Sequence, residues 1–123
     1  ITLPQVKEVV KKRERIINYI EEIGLKYLKG SSTFYIFLEV KDIKEDVLDF
    51  CLYLLFKYGI ATVPGSAYGK STNKFIRIGI GAESEERIYY ALDVIKLVID
   101  QQLTDVDYVK DNLKNTRIKE KNS

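Results

Sequence analysis

Val6, Val9, Val10, Ile16, Ile17, Ile20 and Ile23 recur at steps of three and four, which lays one apolar stripe along a helix. The spacing predicts a helix over 3–23. Pro4 suits its first turn, where a missing N–H does no harm, and Gly24 stands where a left-handed closing residue is expected. Arg13 falls in the stripe where another aliphatic would be expected. Residues 25–29 read as a short extended piece and Gly30-Ser31-Ser32 as a turn. From Thr33 to Val40 the period changes to two. Phe34, Ile36, Leu38 and Val40 take one face of this strand, and Tyr35 and Phe37 the other, with Glu39 at its end. Both faces are thus apolar, and helices on one side of a sheet cover only one of them.

Asp42 and Glu45 form a capping-box pattern for a helix over 43–58, with Val47, Leu48, Cys51, Leu52 and Leu55 as its expected buried stripe. Gly59 ends it and Ile60 supplies the usual apolar contact after the glycine. Residues 60–63 read as a short strand, broken by Pro64-Gly65, and a loop from Ser66 to Lys74 follows. The next strand, 75–80, turns Ile76, Ile78 and Ile80 to one face and Phe75, Arg77, Gly79 and Gly81 to the other. Ser84 caps a helix running to about 101, with Glu85 and Glu86 in the first turn, where the helix dipole favours them. Leu103, Val106, Val109 and Leu113 continue at weaker helical intervals, and the polar, basic residues 114–123 are expected to fray. This order predicts an α+β two-layer sandwich. A small mixed or antiparallel sheet near 25–29, 33–40, 60–63 and 75–80 is backed by helices near 3–23, 43–58 and 84–101. Residues 1–102 form the domain and 103–123 a basic tail.

A chain of 123 residues fits one domain. The net charge of +2 comes from interspersed acids and bases, which argues against a nucleic-acid binder. Lys7, Lys11, Lys12 and Arg15 are interleaved with Glu8 and Glu14 and read as a solvated face. No apolar run reaches the length of a membrane span. The single cysteine, Cys51, makes no internal disulfide, so a reducing cytoplasm is the expected compartment. With no histidine in the chain, Cys51 lacks an activating base and reads as a small buried hydrophobe. The same lack argues against a metal centre and a nucleophilic triad. Glu21-Glu22 and Glu85-Glu86 read as solvating and dipole-facing pairs. There is no methionine, even at position 1, and the expectation is a piece of a longer protein.

Gly65-Ser-Ala-Tyr-Gly-Lys-Ser71 looks like a phosphate-binding loop, but it is one residue short and leads into a strand instead of a helix N-terminus. Arg77 is the remaining chemical candidate. Its ordinary reading is an ion pair with Glu39 across the sheet. Its functional reading is a fork that accepts a carboxylate through two parallel hydrogen bonds. Gly79 and Gly81 on the same face would let another surface come close.

The run Gly59-Ile-Ala-Thr-Val-Pro-Gly-Ser-Ala-Tyr-Gly69, then Phe75-Ile-Arg-Ile78, then Ser84-Glu-Glu-Arg-Ile88 resembles the C-terminal part of class I/II, fold-type I, pyridoxal-phosphate-dependent aminotransferases. The aromatic strand 34–40 also matches, and the resemblance spans about 16–101. It implies that Arg77 binds the α-carboxylate of an amino-acid or 2-oxo-acid substrate, with Tyr68 and Ser66 at the site edge. It also implies pyridoxal phosphate and a homodimer in the intact enzyme. The family's Schiff-base lysine and cofactor-holding residues lie in its large domain, and Lys70 and Lys74 do not match that lysine. The expectation is therefore a small closing domain without catalytic, cofactor-binding or metal-binding residues, inactive alone and lacking its large domain. The alternative is a stand-alone carboxylate sensor or protein-interaction module on the same scaffold.

Overall fold

The computed structural model describes residues 2–30 and 32–122, with side chains through residue 116. The expected turn at 30–32 includes Ser31, which lies outside the described residues. Helix α1 spans Leu3–Glu22, strand β1 Tyr35–Glu39 and helix α2 Val47–Tyr58. Strand β2 is Val63–Pro64 and strand β3 Phe75–Gly79, joined by two 3₁₀ turns at Gly65–Tyr68 and Lys70–Thr72. Helices α3, Glu85–Asp100, and α4, Val106–Asn122, complete the chain.

The sheet order is β1-β3-β2, with both pairs antiparallel. The two-layer α+β architecture is the one the periodicity predicts. Ile36, Leu38, Ile76, Ile78 and Ile80 face the helices and are buried among Ile16 and Ile20 of α1, Phe50 and Leu54 of α2, and Leu92 and Ile95 of α3. Tyr35, Phe37, Phe75 and Arg77 occupy the opposite face.

The helix ends follow from local chemistry. Thr2 caps α1 through a reciprocal pair with Gln5, the threonine oxygen accepting from the Gln5 N–H. Gly24, at φ +84°, closes it as expected: Leu25 N–H donates to the Ile20 carbonyl and Gly24 N–H to that of Glu21. Ser84 caps α3, with Glu85 and Glu86 in its first turn. The cap of α2 differs from the sequence expectation. Asp46, not Asp42, accepts from the Leu48 N–H, and the helix begins at Val47. Residues 42–46 instead cross from the sheet to the helix layer and bury Ile43 on the way.

Three further expectations change. The fourth strand shrinks to one bridge, Tyr27 to Leu38, held by Leu28 N–H to the Phe37 carbonyl and Glu39 N–H to that of Lys26. The strand expected at 60–63 pairs only at Val63–Pro64, because Ile60 is occupied in closing α2, its N–H donating to the Leu54 carbonyl. The buried side of α2 is also rotated: Val47, Phe50, Cys51, Tyr53 and Leu54 are inside, while Leu48 and Leu55 are exposed. Tyr53 is covered because α4 packs against α2, with the Tyr108 ring 5.9 Å from it and Val109 fully buried. The segment expected to fray is helical to Asn122.

Candidate functional site

Arg77 sits on the central strand, opposite Phe37 of β1 and Val63 of β2. Its neighbours Ile76 and Ile78 are fixed in the core, so the pleat sends the Arg77 side chain to the helix-free face. There the guanidinium carbon lies 4.0 Å from the centre of the Tyr35 ring and 4.7 Å from that of Tyr68, within the range of cation–π attraction. Tyr68 in turn packs edge-on against Phe37, at 5.6 Å. Among the described residues no carboxylate lies within ion-pair distance of Arg77. Glu39 instead lies 3.9 Å from the Lys41 ammonium and stands opposite Phe75 in the register.

The 3₁₀ turns deliver Tyr68 to this place. The hydroxyl of buried Thr72 donates to the Gly65 carbonyl at 2.6 Å and also lies 3.2 Å from the Gly69 carbonyl. Those bonds draw the loop over the end of the sheet. Gly69 has φ +131°, a conformation that favours glycine. Gly65 is required for a different reason: a Cβ there would lie 2.1 Å from the Thr72 carbonyl oxygen. Thr72 carries no sequence signal of its own role, because its partners are seven and three residues away along an irregular path.

Of the expected edge residues, Tyr68 reaches Arg77. Ser66 is exposed on the same turn, its carbonyl accepting from the Gly69 N–H, and no hydrogen bond joins it to Arg77 among the described residues. The glycine positions also differ from expectation. Over Gly79 the Tyr35 ring lies in ordinary van der Waals contact, 3.8 Å from where a Cβ would be. The space over Gly81 is taken by Phe34, at 3.1 Å. The chain's own aromatics fill what the alternation left bare. Beyond them a groove of about 910 Å³ opens between this sheet end and the first turns of α1, bordered by Pro4, Val9, Phe34 and Tyr35.

A second polar cluster joins α1 to α3. Arg15 grips Glu85 with both Nε and Nη2, at 2.6 to 3.1 Å, and the Tyr89 hydroxyl donates to the same carboxylate at 2.6 Å. Tyr19 donates to Asp93 and lies 4.6 Å from the Tyr89 ring, and Lys12 donates to the Glu83 carbonyl. The Arg15 and Tyr89 hydrogen bonds hold the Glu85 carboxyl down at about 2. Lys12 and Arg15 thus serve helix docking as well as solvation. Arg13 also has a structural partner, donating to the Ser32 carbonyl. Cys51 is buried, and burial pushes its thiol up, away from nucleophilic use. Among the described residues no group of three metal-ligating side chains is present, and no helix is long and apolar enough to cross a membrane.

Comparison with known proteins extends the ordered motifs. The family model described as aminotransferase class I and II matches residues 5–95. An aspartate aminotransferase of Pyrococcus abyssi is 31% identical over 96 residues, 78% of this chain and 24% of the relative. An LL-diaminopimelate aminotransferase of Natranaerobius thermophilus is 28% identical over 94 residues, with the same 24% share. The crystal structure of an aromatic aminotransferase from Pyrococcus horikoshii is similar at TM-score 0.65 and 28% identity, covering 80% of this chain and 26% of that one. The chain spans about a quarter of the length of the relatives it matches.

Proposed function

The chain belongs to the class I and II aminotransferases, and from that membership we propose that it is the small domain of a pyridoxal-phosphate-dependent transaminase, gripping the substrate α-carboxylate through Arg77. The observation that carries the reading is the state of Arg77: a guanidinium within cation–π range of two rings, with no carboxylate of the described residues within ion-pair distance. An arginine so placed offers a planar pair of N–H donors to an incoming carboxylate. A bound substrate would be oriented by that fork, and closure of the domain over it would exclude water.

Among the described residues, the loop lysines and the glycine-rich stretch do not fit the cofactor. Lys70 and Lys74 are exposed on the loop. The glycine-rich stretch is folded into 3₁₀ turns around Thr72 and presents no helix N-terminus to a phosphate. In this proposal the cofactor is held by a larger domain outside these residues, the substrates are an amino acid and a 2-oxo acid, and the intact enzyme works as a homodimer. A second reading is a carboxylate-binding or interaction module on the same scaffold, and the uncovered Leu48 and Leu55 on α2 favour its interaction form.

Two measurements on the purified chain test the first reading. Mixed with pyridoxal phosphate, an amino acid and a 2-oxo acid, it is expected to give no turnover, and sustained turnover would overturn the small-domain reading. Titrated with succinate, it is expected to bind through Arg77. Arg77→Gln should weaken that binding by roughly ten- to a hundred-fold, the worth of hydrogen bonds to a charged partner. Equal binding by the variant would remove Arg77 from the site.

A further inference from the structure

We propose that Tyr35 and Tyr68 are positioning residues for Arg77, fixing the plane of its guanidinium so that only the N–H edge is left to meet a carboxylate. The inference rests on the carboxylate-binding reading of Arg77 and adds how that arginine is aimed. A guanidinium is flat, and all its N–H bonds lie in its plane. A ring packed on a face engages the π-system and leaves the in-plane hydrogens available. Tyr35 and Tyr68 lie 4.0 and 4.7 Å from the guanidinium carbon, so both rings are in contact range of the same cation. The two rings come from different parts of the chain and are held independently. Tyr35 is on β1, opposite Gly79, and its ring lies across the position where Gly79 lacks a side chain. Tyr68 ends the first 3₁₀ turn, which the Thr72 hydroxyl holds through Gly65, and it rests edge-on against Phe37.

An arginine on a strand has several rotatable bonds and would otherwise sweep a wide arc over the face of the sheet. Contact with both rings removes most of that freedom before any ligand arrives, and ordering that precedes binding is not charged to the ligand. Both rings are partly exposed, at 41% for Tyr35 and 46% for Tyr68, which leaves the stack open on the side where a ligand would approach. The arrangement selects a planar oxyanion with two oxygens side by side. A Cβ at Gly79 would meet the Tyr35 ring in ordinary van der Waals contact, at 3.8 Å.

The test is an NMR titration of the full chain with succinate, following the Arg77 Nε–H signal. In the wild type, that proton is expected to be shifted by the ring currents of the two tyrosines and to respond to succinate. Tyr35→Leu and Tyr68→Leu are each expected to abolish part of the ring-current shift and to weaken succinate binding about five- to ten-fold. Tyr35→Phe and Tyr68→Phe keep the ring and are expected to restore both, which a role through the hydroxyl alone would not do. If succinate moves the wild-type signal and the leucine variants bind it equally well, the positioning role is overturned while the carboxylate reading stands. If succinate leaves the wild-type signal unmoved, the carboxylate reading fails and this inference with it.

Discussion

A methyl group on Gly65 would meet the Thr72 carbonyl oxygen at 2.1 Å and that of Phe75 at 2.7 Å. Both are backbone atoms, so neither can swing away as a flexible side chain could. Gly65→Ala is therefore expected to cost about 2–3 kcal/mol, the scale of forced overpacking, and to displace the turn that carries Tyr68. A urea unfolding midpoint equal to that of the wild type would contradict the crowding. Arg77 shows the opposite situation, where the residue type matters for shape and charge together. Lysine in its place keeps the charge but has neither the flat face for the rings nor the fork for a carboxylate. The alternation of the strand was enough to send Arg77 away from the helices. The family resemblance placed Tyr68 at the edge of the Arg77 site, whereas nothing in the spacing indicated that the Tyr35 ring, on another strand, would contact the guanidinium.

At the level of elements, the junction of α1 with α3 includes one carboxylate held by two partners. Glu85 lies in the first turn of α3 and accepts from Arg15 of α1 and Tyr89 of its own helix. Its folded-state value of about 2 is below the ordinary 4.5, so the contribution to stability is fully present above about 4.5 and is lost as the pH falls toward 2. Glu85→Gln is expected to be less stable than the wild type at neutral pH, with the gap narrowing through that same window. Thermal melts of the two proteins at several pH values check it, and a gap independent of pH would assign the loss to another cause. The acidic first turn was legible as a dipole partner, but its arginine lies 70 residues away and was not. Helix α2 shows a related limit. Its sequence from Val47 to Phe56 is apolar nearly all round, so several stripes fit the spacing equally well. Phe50 and Leu54 face the sheet, and Tyr53 is buried at the side where α4 packs.

Over the whole molecule, α4 lies beyond the matched residues 5–95 yet is packed into the same core. Val109 is fully buried, Tyr108 packs edge-on against Tyr53, and its hydroxyl donates to the Phe56 carbonyl at 3.3 Å. Ending the chain after residue 104 is expected to cost on the order of 3 kcal/mol, from the side chains of α2 and α4 returned to water. The truncated form should also bind a hydrophobic dye. An unchanged unfolding midpoint without dye binding would show that α4 is not part of the folded unit. The polar composition of 114–123 suggested a loose tail, because helix propensity alone seldom holds a segment against solvent. The buried contacts of Tyr108 and Val109 anchor the start of that helix. By itself, the sequence determined the period of each main element, the closing glycines Gly24 and Gly59, the Ser84 cap, and the ordered motifs that mark the family. These depend on residues within a turn or a pleat of one another. Only the tertiary structure decided which face of α2 is inside, how far β2 pairs, what stacks on Arg77 and what Glu85 binds. Each of those is a contact between segments far apart in the chain, and local periodicity carries no information about which distant side chain arrives.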